Sequence, residues 1–274
     1  RGLQSEPRPM SAGAGRRGPG NPSDFYPTPP GAAGALSEWY TEQFGWPVQV
    51  IDPSAGLGCL LVAWKDKPGV SVEGWESEGY LVDESIGAWD LVKAESPVLE
   101  GDGLKRLRAW AQFGKEGDPA AHLCGERGGV DRYPTEGSHD ELVIANPPFS
   151  GADDWVEACV NLYELQRVPV AVLLRSQWID DGNTKGRQRY RYETPPSAIL
   201  RLPWRIRFNG AGADSCTYAW HVWHPDISPR GDRPSQSSSA SPMVPTFWAP
   251  VNGPAVEEAW VDFWERAAAV SRGD

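Results

Sequence analysis

The stretch Pro47–Lys65, PVQVIDPSAGLGCLLVAWK, decides the fold. It opens as a short buried-type strand, Pro47–Asp52, with apolar residues bounded by turn formers. It then turns through Asp52-Pro53-Ser54-Ala55-Gly56-Leu57-Gly58 and continues into an apolar run that reads as a helix over Leu57–Lys65. Glycines at a strand-to-helix turn let the backbone approach a ligand closely. Two common phosphate loops do not fit. The dinucleotide fingerprint needs Gly or Ala at position 61, where Leu61 stands, and a P-loop needs Gly-Lys-Ser/Thr, which is absent here.

Outward from this unit, strands and helices alternate. Gly31–Phe44 has helical spacing, Val70–Glu76 reads as a strand, Glu78–Lys93 as a helix and Pro97–Glu100 as a short strand. Glu141–Ala145 is a second buried strand. Asp153–Gln166 is an amphipathic helix with Trp155, Val156, Cys159, Val160 and Tyr163 on one side, and Val168–Leu174 is the most apolar strand. Ile199–Phe208 and Thr217–Trp223 alternate like a final antiparallel pair. The pattern predicts a doubly wound, mostly parallel α/β sheet of seven strands with a terminal antiparallel hairpin. In such sheets ligands bind beyond the carboxyl ends of the strands, at the switch point.

Composition sets the limits. Of 274 residues, 40% are hydrophobic and 23% charged, which supports a packed core. Residues 1–24, rich in Gly, Pro, Arg and Ser, read as a flexible arm. Residues 25–227 read as the catalytic and cofactor-binding domain, 228–245 as a linker, and 246–274 as a helical tail with its helix over Ala255–Val270. A net charge of −11 argues against coating nucleic acid by bulk charge, though not against a local basic groove. No apolar run approaches the ~18 residues of a membrane span. The first ten residues lack an apolar signal-peptide core. The four cysteines lie far apart with no C-x-x-C, so a cytoplasmic protein without a zinc or disulfide framework is expected.

Each strand end offers chemistry. Glu76 follows Asp52 by the interval at which an acid commonly accepts ribose hydroxyls; the bland alternative is a solvated strand-end acid. Asp102, between Gly101 and Gly103, is either a turn residue or an acceptor for an adenine amino group. Asn146-Pro147-Pro148-Phe149 is the most informative tetrapeptide. Its prolines fix the backbone and remove two donors, which leaves the Asn146 oxygen and the Pro147 carbonyl as acceptors for a planar amino group. Phe149 adds a flat surface for a ring. His221 and His224 fall on opposite strand faces, so no metal is expected.

The basic-aromatic segment follows the fifth strand. Between positions 185 and 207 there are seven cations, Lys185, Arg187, Arg189, Arg191, Arg201, Arg205 and Arg207, against one acid, Glu193. Tyr190, Tyr192 and Trp204 are interleaved, the footprint of phosphate contacts with base stacking. A solvated loop that balances an acidic protein is the alternative. Trp178 reads equally as substrate-facing or as core. Residues Lys105–Asp140 read as a small insertion or a loop, too short for a full sequence-reading domain.

Together these motifs resemble class I S-adenosylmethionine-dependent methyltransferases of the amino-group type, mainly DNA adenine-N6 enzymes, over roughly Phe25–His224. The loop Asp52–Gly58 resembles the family's cofactor loop, and Asn146–Phe149 its (D/N/S)-P-P-(Y/F) motif. Phe25-Tyr26-Pro27-Thr28-Pro29-Pro30 resembles the T-P-P segment that closes over the cofactor's methionine end. The resemblance implies S-adenosylmethionine held by Tyr26, Thr28, Pro29, Asp52, Ser54, Gly56, Gly58, Glu76 and Asp102. It implies catalysis by Asn146, Pro147, Pro148 and Phe149. It also implies DNA, as duplex with a flipped base or single-stranded, contacted by Trp178, Lys185, Arg187, Arg189, Tyr190, Arg191 and Tyr192. Cytosine N4, adenine in RNA and a protein glutamine amide stay open as acceptors, as does a catalytically silent nucleic-acid-binding subunit. By analogy a compact enzyme of this kind suits a phage or mobile element. Oligomeric state is left open.

Overall fold

A computed structural model of the chain describes residues 27–79, 95–115, 141–180, 185–208, 215–227 and 244–249. The expected N-terminal arm, Tyr26, most of the helix over Glu78–Lys93 and the tail helix over Ala255–Val270 lie outside these residues, as do His122 and Cys124.

Eight strands form one sheet: β1 (Gln49–Asp52), β2 (Ser71–Glu76), β3 (Val98–Glu100), β4 (Glu141–Ala145), β5 (Val170–Arg175), β6 (Ala198–Arg201), β7 (Tyr218–Trp223) and β8 (Thr246–Trp248). Their order is β3-β2-β1-β4-β5-β7-β6-β8. Strands β1 to β5 pair in parallel, and β7 runs antiparallel to both β5 and β6. This is the expected doubly wound, Rossmann-like sheet with its antiparallel hairpin, and it has one strand more than the seven the sequence predicts. Strand β8 adds in parallel to β6, with Leu200 opposite Phe247. It falls at the start of the stretch that composition assigns to the tail.

Both faces of the sheet are covered. On one lie α1 (Pro30–Phe44) and a 3₁₀ turn (Cys59–Ala63), packed through Ala32, Ala33, Leu36, Trp39, Tyr40, Leu61 and Trp64. The Trp220 indole nitrogen donates to the Ala32 carbonyl at 2.8 Å and ties α1 to β7. On the other face lie α2 (Gly103–Phe113) and α3 (Ala152–Gln166), buried through Leu107, Trp110, Val156, Cys159, Val160 and Leu162. Strand residues alternate between the faces: Tyr218, Trp220 and Val222 join the first core and Trp223 the second. Among the described residues no helix is long and apolar enough to cross a membrane.

Two expectations change. The apolar run after the glycine loop is a 3₁₀ turn, not a helix over Leu57–Lys65. Gly58 enters it in the left-handed region at φ +78°, and the amides of Leu61 and Trp64 bond back three residues, to Gly58 and Leu61. Lys105–Asp140 is in its first part no insertion: Gly103–Phe113 is the helix that follows β3, capped at its start by Asp102, whose side chain accepts from the Lys105 amide at 3.0 Å. One Asp102 oxygen thereby serves the local, turn-forming role.

Candidate active site

The strand order reverses between β1 and β4, so the loops that leave these two strands face each other across the switch point. The β1 loop is stiff. Asp52 is buried and accepts both the amide and the hydroxyl of Ser54, at 3.0 and 3.3 Å. Gly56 lies at φ +52° and Gly58 at φ +78°, which a side chain would strain. Glu76, at the end of β2, reaches back to the same loop. One carboxylate oxygen accepts the Gly56 amide at 2.9 Å, and the other accepts the Glu78 amide at 3.0 Å. The sequence marks Glu76 as a site acid but not this bond. Glu76 therefore locks the loop; the oxygen that takes the Glu78 amide also accepts the Ser77 hydroxyl at 3.4 Å, and the oxygen that takes the Gly56 amide retains a second lone pair for a ligand.

The β3 end closes the same side. A side chain at Gly103 would press into the Pro53 carbonyl, with Cβ only 2.6 Å from the carbonyl carbon. The start of α2 and the β1 loop are thus in backbone contact, a packing role for Gly103 that sequence reasoning missed. Gly101 differs: its Cβ would meet only the Arg106 side chain, at 3.1 Å.

Beside the β1 loop stands the β4 end. Asn146 Nδ2 donates to the Thr28 hydroxyl at 2.8 Å, across 118 residues of sequence. Thr28 and Pro29 are buried, and Pro30 opens α1. The T-P-P segment is thereby placed against the N-P-P-F motif, with the Asn146 amide nitrogen toward the hydroxyl. Phe149 is half-buried. Its ring meets Phe208 and Tyr218, each at 6.3 Å, and the Arg175 guanidinium lies over it at 4.9 Å. Arg175 comes from the end of β5 and was not singled out from sequence, because a cation closing an apolar strand resembles any strand-end charge.

The basic segment is placed otherwise than the charge count suggests. Residues Lys185–Gln188 form a helical turn that continues as a π-helical turn, Arg189–Glu193. Arg187 grips Asp153 of α3 at 2.9 and 3.3 Å and stacks on Trp178 at 4.8 Å. Arg189 pairs with Glu164 and bonds Asn161. Arg191 donates to the carbonyls of Ile179 and Asp180. Trp178 and Tyr190 are buried against each other with rings 5.8 Å apart, so Trp178 takes its core reading. Only Tyr192 of the named aromatics is exposed. Arg187 and Arg189 latch the segment to α3, and Arg191 latches it to the stretch after β5, because charged groups this close to the core need partners. These bonds give Arg187, Arg189 and Arg191 partners within the protein, which the charge count did not show.

His221 and His224 lie on opposite faces. His224 stacks on Phe44 at 3.7 Å on the α1 side, and its Nδ1 accepts the Asp226 amide. The fully buried His221 is pushed down to about 4 by burial and stays neutral. Among the described residues no cluster could hold a metal ion.

Burial pushes the Asp52 carboxyl up to about 7, the Ser54 bonds oppose this, and the Glu76 charge adds to it. The folded state thus holds a proton that the unfolded chain releases near 4. Stability from this group is fully present below pH 4 and fades as pH rises through about 7, by on the order of a few kcal/mol. Asp52→Asn keeps an acceptor for Ser54 and cannot ionise. The melting-temperature difference between variant and parent is expected to move in the variant's favour from pH 5 to pH 8. A difference that stays constant with pH means that Asp52 does not titrate in this range.

No protein-family model matches the chain, and no curated protein matches it. Among solved structures it is similar to a Pyrococcus horikoshii protein assigned as an RNA methyltransferase, with 19% identity over 72% of this chain and 84% of the other, TM-score 0.43. It is similar to the methyltransferase subunit of a type I restriction-modification system from Streptococcus thermophilus, with 14% identity over 88% of this chain and 53% of the other, TM-score 0.46. An Agrobacterium tumefaciens protein assigned as an O-methyltransferase is similar at 16% identity over 87% of this chain and 96% of the other, TM-score 0.44.

Proposed function

We propose that this chain is an S-adenosylmethionine-dependent N-methyltransferase that acts on the exocyclic N6 amino group of adenine in DNA. The observation that carries the reading is the Thr28–Asn146 hydrogen bond, which joins the T-P-P segment to the N-P-P-F motif beside a glycine loop at the switch point. The residues present fit the cofactor. Gly56 and Gly58 give the loop two positions without side chains, Glu76 presents a carboxylate at the β2 end, and Asp102 stands exposed at the β3 end. These would hold the ribose and adenine portions, with Thr28 and Pro29 toward the methionine end. When bound, S-adenosylmethionine supplies a methyl group activated by a sulfonium.

The chain's own contribution is positional and electrostatic. An adenine amino nitrogen is a poor nucleophile because its lone pair is spread into the ring. The Asn146 side-chain oxygen and the Pro147 carbonyl would accept hydrogen bonds from its two N–H groups, drawing the hydrogens out of the ring plane and localising the lone pair on nitrogen toward the methyl; one of these protons leaves to water once the nitrogen is methylated. Pro147 and Pro148 fix the backbone that carries these acceptors, and Phe149 orients the ring by stacking. Acceptors set in place before the reaction need no reorganisation during it. A base within a duplex must first leave the stack.

The test is transfer of labelled methyl from S-adenosylmethionine to DNA, RNA and a glutamine-containing peptide, followed by nucleoside and amino-acid analysis. Label in N6-methyldeoxyadenosine is the expected product. Label only in methylglutamine or N4-methylcytosine reassigns the acceptor. No transfer to any of them, with cofactor bound, supports a silent binding subunit.

A further inference from the structure

The two faces of the sheet are not covered alike at the β6–β8 edge. On the α1 side the edge is closed: Phe247 packs on Trp39 with rings 5.3 Å apart, and Leu200 beside it is buried. The pairing turns their neighbours to the other face, where Thr246 stands level with Ile199 and Trp248 with Arg201. On that face cover reaches as far as β7. His221, opposite Ile199, is fully buried, and Trp223 meets Tyr190 of the π-helical turn at 6.3 Å. Beyond β7 the face opens. Ile199 and Arg201 are half-buried and Thr246 is exposed. Trp248, 67% exposed, is the most exposed large apolar side chain among the described residues.

We propose that residues 255–270 dock as a helix on this open face, with Trp260, Phe263 and Trp264 turned onto Trp248 and Ile199. Three observations select this occupant. The first is reach. The described chain leaves β8 at Ala249, whose amide is bonded to the Arg201 carbonyl, and only the five residues 250–254 precede the segment. They span at most about 20 Å, so the segment starts near β8, and the other face of that strand already carries Trp39 against Phe247. The second is pattern. Val256, Trp260, Phe263, Trp264 and Ala267 share one stripe of a helix about 24 Å long, enough to cover the β6–β8 edge from end to end. The third is charge. Glu257, Glu258, Asp262 and Glu265, against Arg266 alone, make the segment acidic, and Arg201 gives the open face a positive charge. The short tether makes the docking intramolecular, which favours it over the same contact between two copies.

Two reciprocal measurements on the full chain test this. Hydroxyl-radical labelling reads the cover of the Trp248 side chain, and amide hydrogen exchange reads the protection of 255–270. In the parent, Trp248 is expected to label slowly and the 255–270 amides to exchange slowly, with sedimentation showing a monomer. Trp260→Ala/Trp264→Ala is expected to raise Trp248 labelling several-fold and to leave exchange in β1 and β4 at parent rates. Trp248→Ser, at a side chain that is two-thirds exposed, is expected to release the protection of 255–270 in turn. The tail variant decides the matter even where Trp248→Ser lowers overall stability. Equal labelling of Trp248 in the parent and the tail variant overturns the docking, and so do 255–270 amides that exchange freely in the parent. Protection that grows with protein concentration, with a dimer in sedimentation, overturns it in favour of a second copy on this face.

Discussion

Replacing Asn146 by Ala is expected to lower methyl transfer by on the order of 10²–10³-fold, the loss seen when one pre-placed hydrogen-bonding group is removed from a reacting centre. Stability and cofactor affinity should change little. The side chain is only partly buried, and its described bond, to the Thr28 hydroxyl at 2.8 Å, contributes about 1 kcal/mol. Thr28→Val separates the two functions of that bond. It leaves the Asn146 oxygen in place and removes the hydroxyl to which the amide nitrogen donates, so turnover should fall by less than in Asn146→Ala. Single-turnover assays with calorimetric cofactor titration distinguish the outcomes. Parent-like transfer by Asn146→Ala would falsify the proposed chemistry, whichever acceptor the enzyme uses.

The second large effect is expected at Gly103. An added Cβ there presses into the Pro53 carbonyl, 2.6 Å from its carbon, and backbone cannot swing aside as a long side chain can. Overpacking commonly costs about 1–3 kcal/mol, and a clash between two backbones belongs at or above the upper end. Gly103→Ala must push the start of α2 off the β1 loop. It therefore disturbs the Asp102 cap and the loop that Glu76 holds. Melting temperature and cofactor affinity should fall together. Gly101→Ala, two residues earlier, meets only the flexible Arg106 side chain and should be close to neutral. Equal melting temperatures in the two variants would mean that the loops are not in contact.

How much of this was legible in the sequence follows from where each signal resides. Strands β4 and β5 are nearly continuous apolar runs and β1 holds the adjacent buried pair Val50-Ile51, and they read correctly because their burial is written in consecutive residues. Helix α2 was missed. Its 11 residues bury only Gly103, Leu107, Trp110 and Ala111, and Lys105, Arg106 and Arg108 obscure the stripe. The site's residue types were legible as short motifs at strand ends, but their connections were not. The Glu76–Gly56 and Thr28–Asn146 bonds join positions 20 and 118 residues apart. The same blindness hid the partners of the arginines. A charge count sees Arg187 and Arg189 but not Asp153, Asn161 and Glu164, which an intervening strand separates from them in sequence and the fold sets against them.

Strand β8 has a consequence for how this chain avoids sticking to its neighbours. Without it, the β6 edge would present an unpaired row of backbone groups, a template for another molecule's strand. The Ile199 amide instead donates to the Pro245 carbonyl at 2.9 Å, and the Ala249 amide donates to the Arg201 carbonyl at 2.9 Å. The new edge is only three residues long, Thr246–Trp248, and Pro245 and Pro250 flank it at a distance of one and two residues in the sequence. Prolines carry no amide hydrogen to offer an incoming strand. A chain cut at Pro245 should therefore keep its β1 and β4 loops and yet lose colloidal stability, clouding on warming where the full chain stays clear. Chaperone dependence during expression should rise in the same direction.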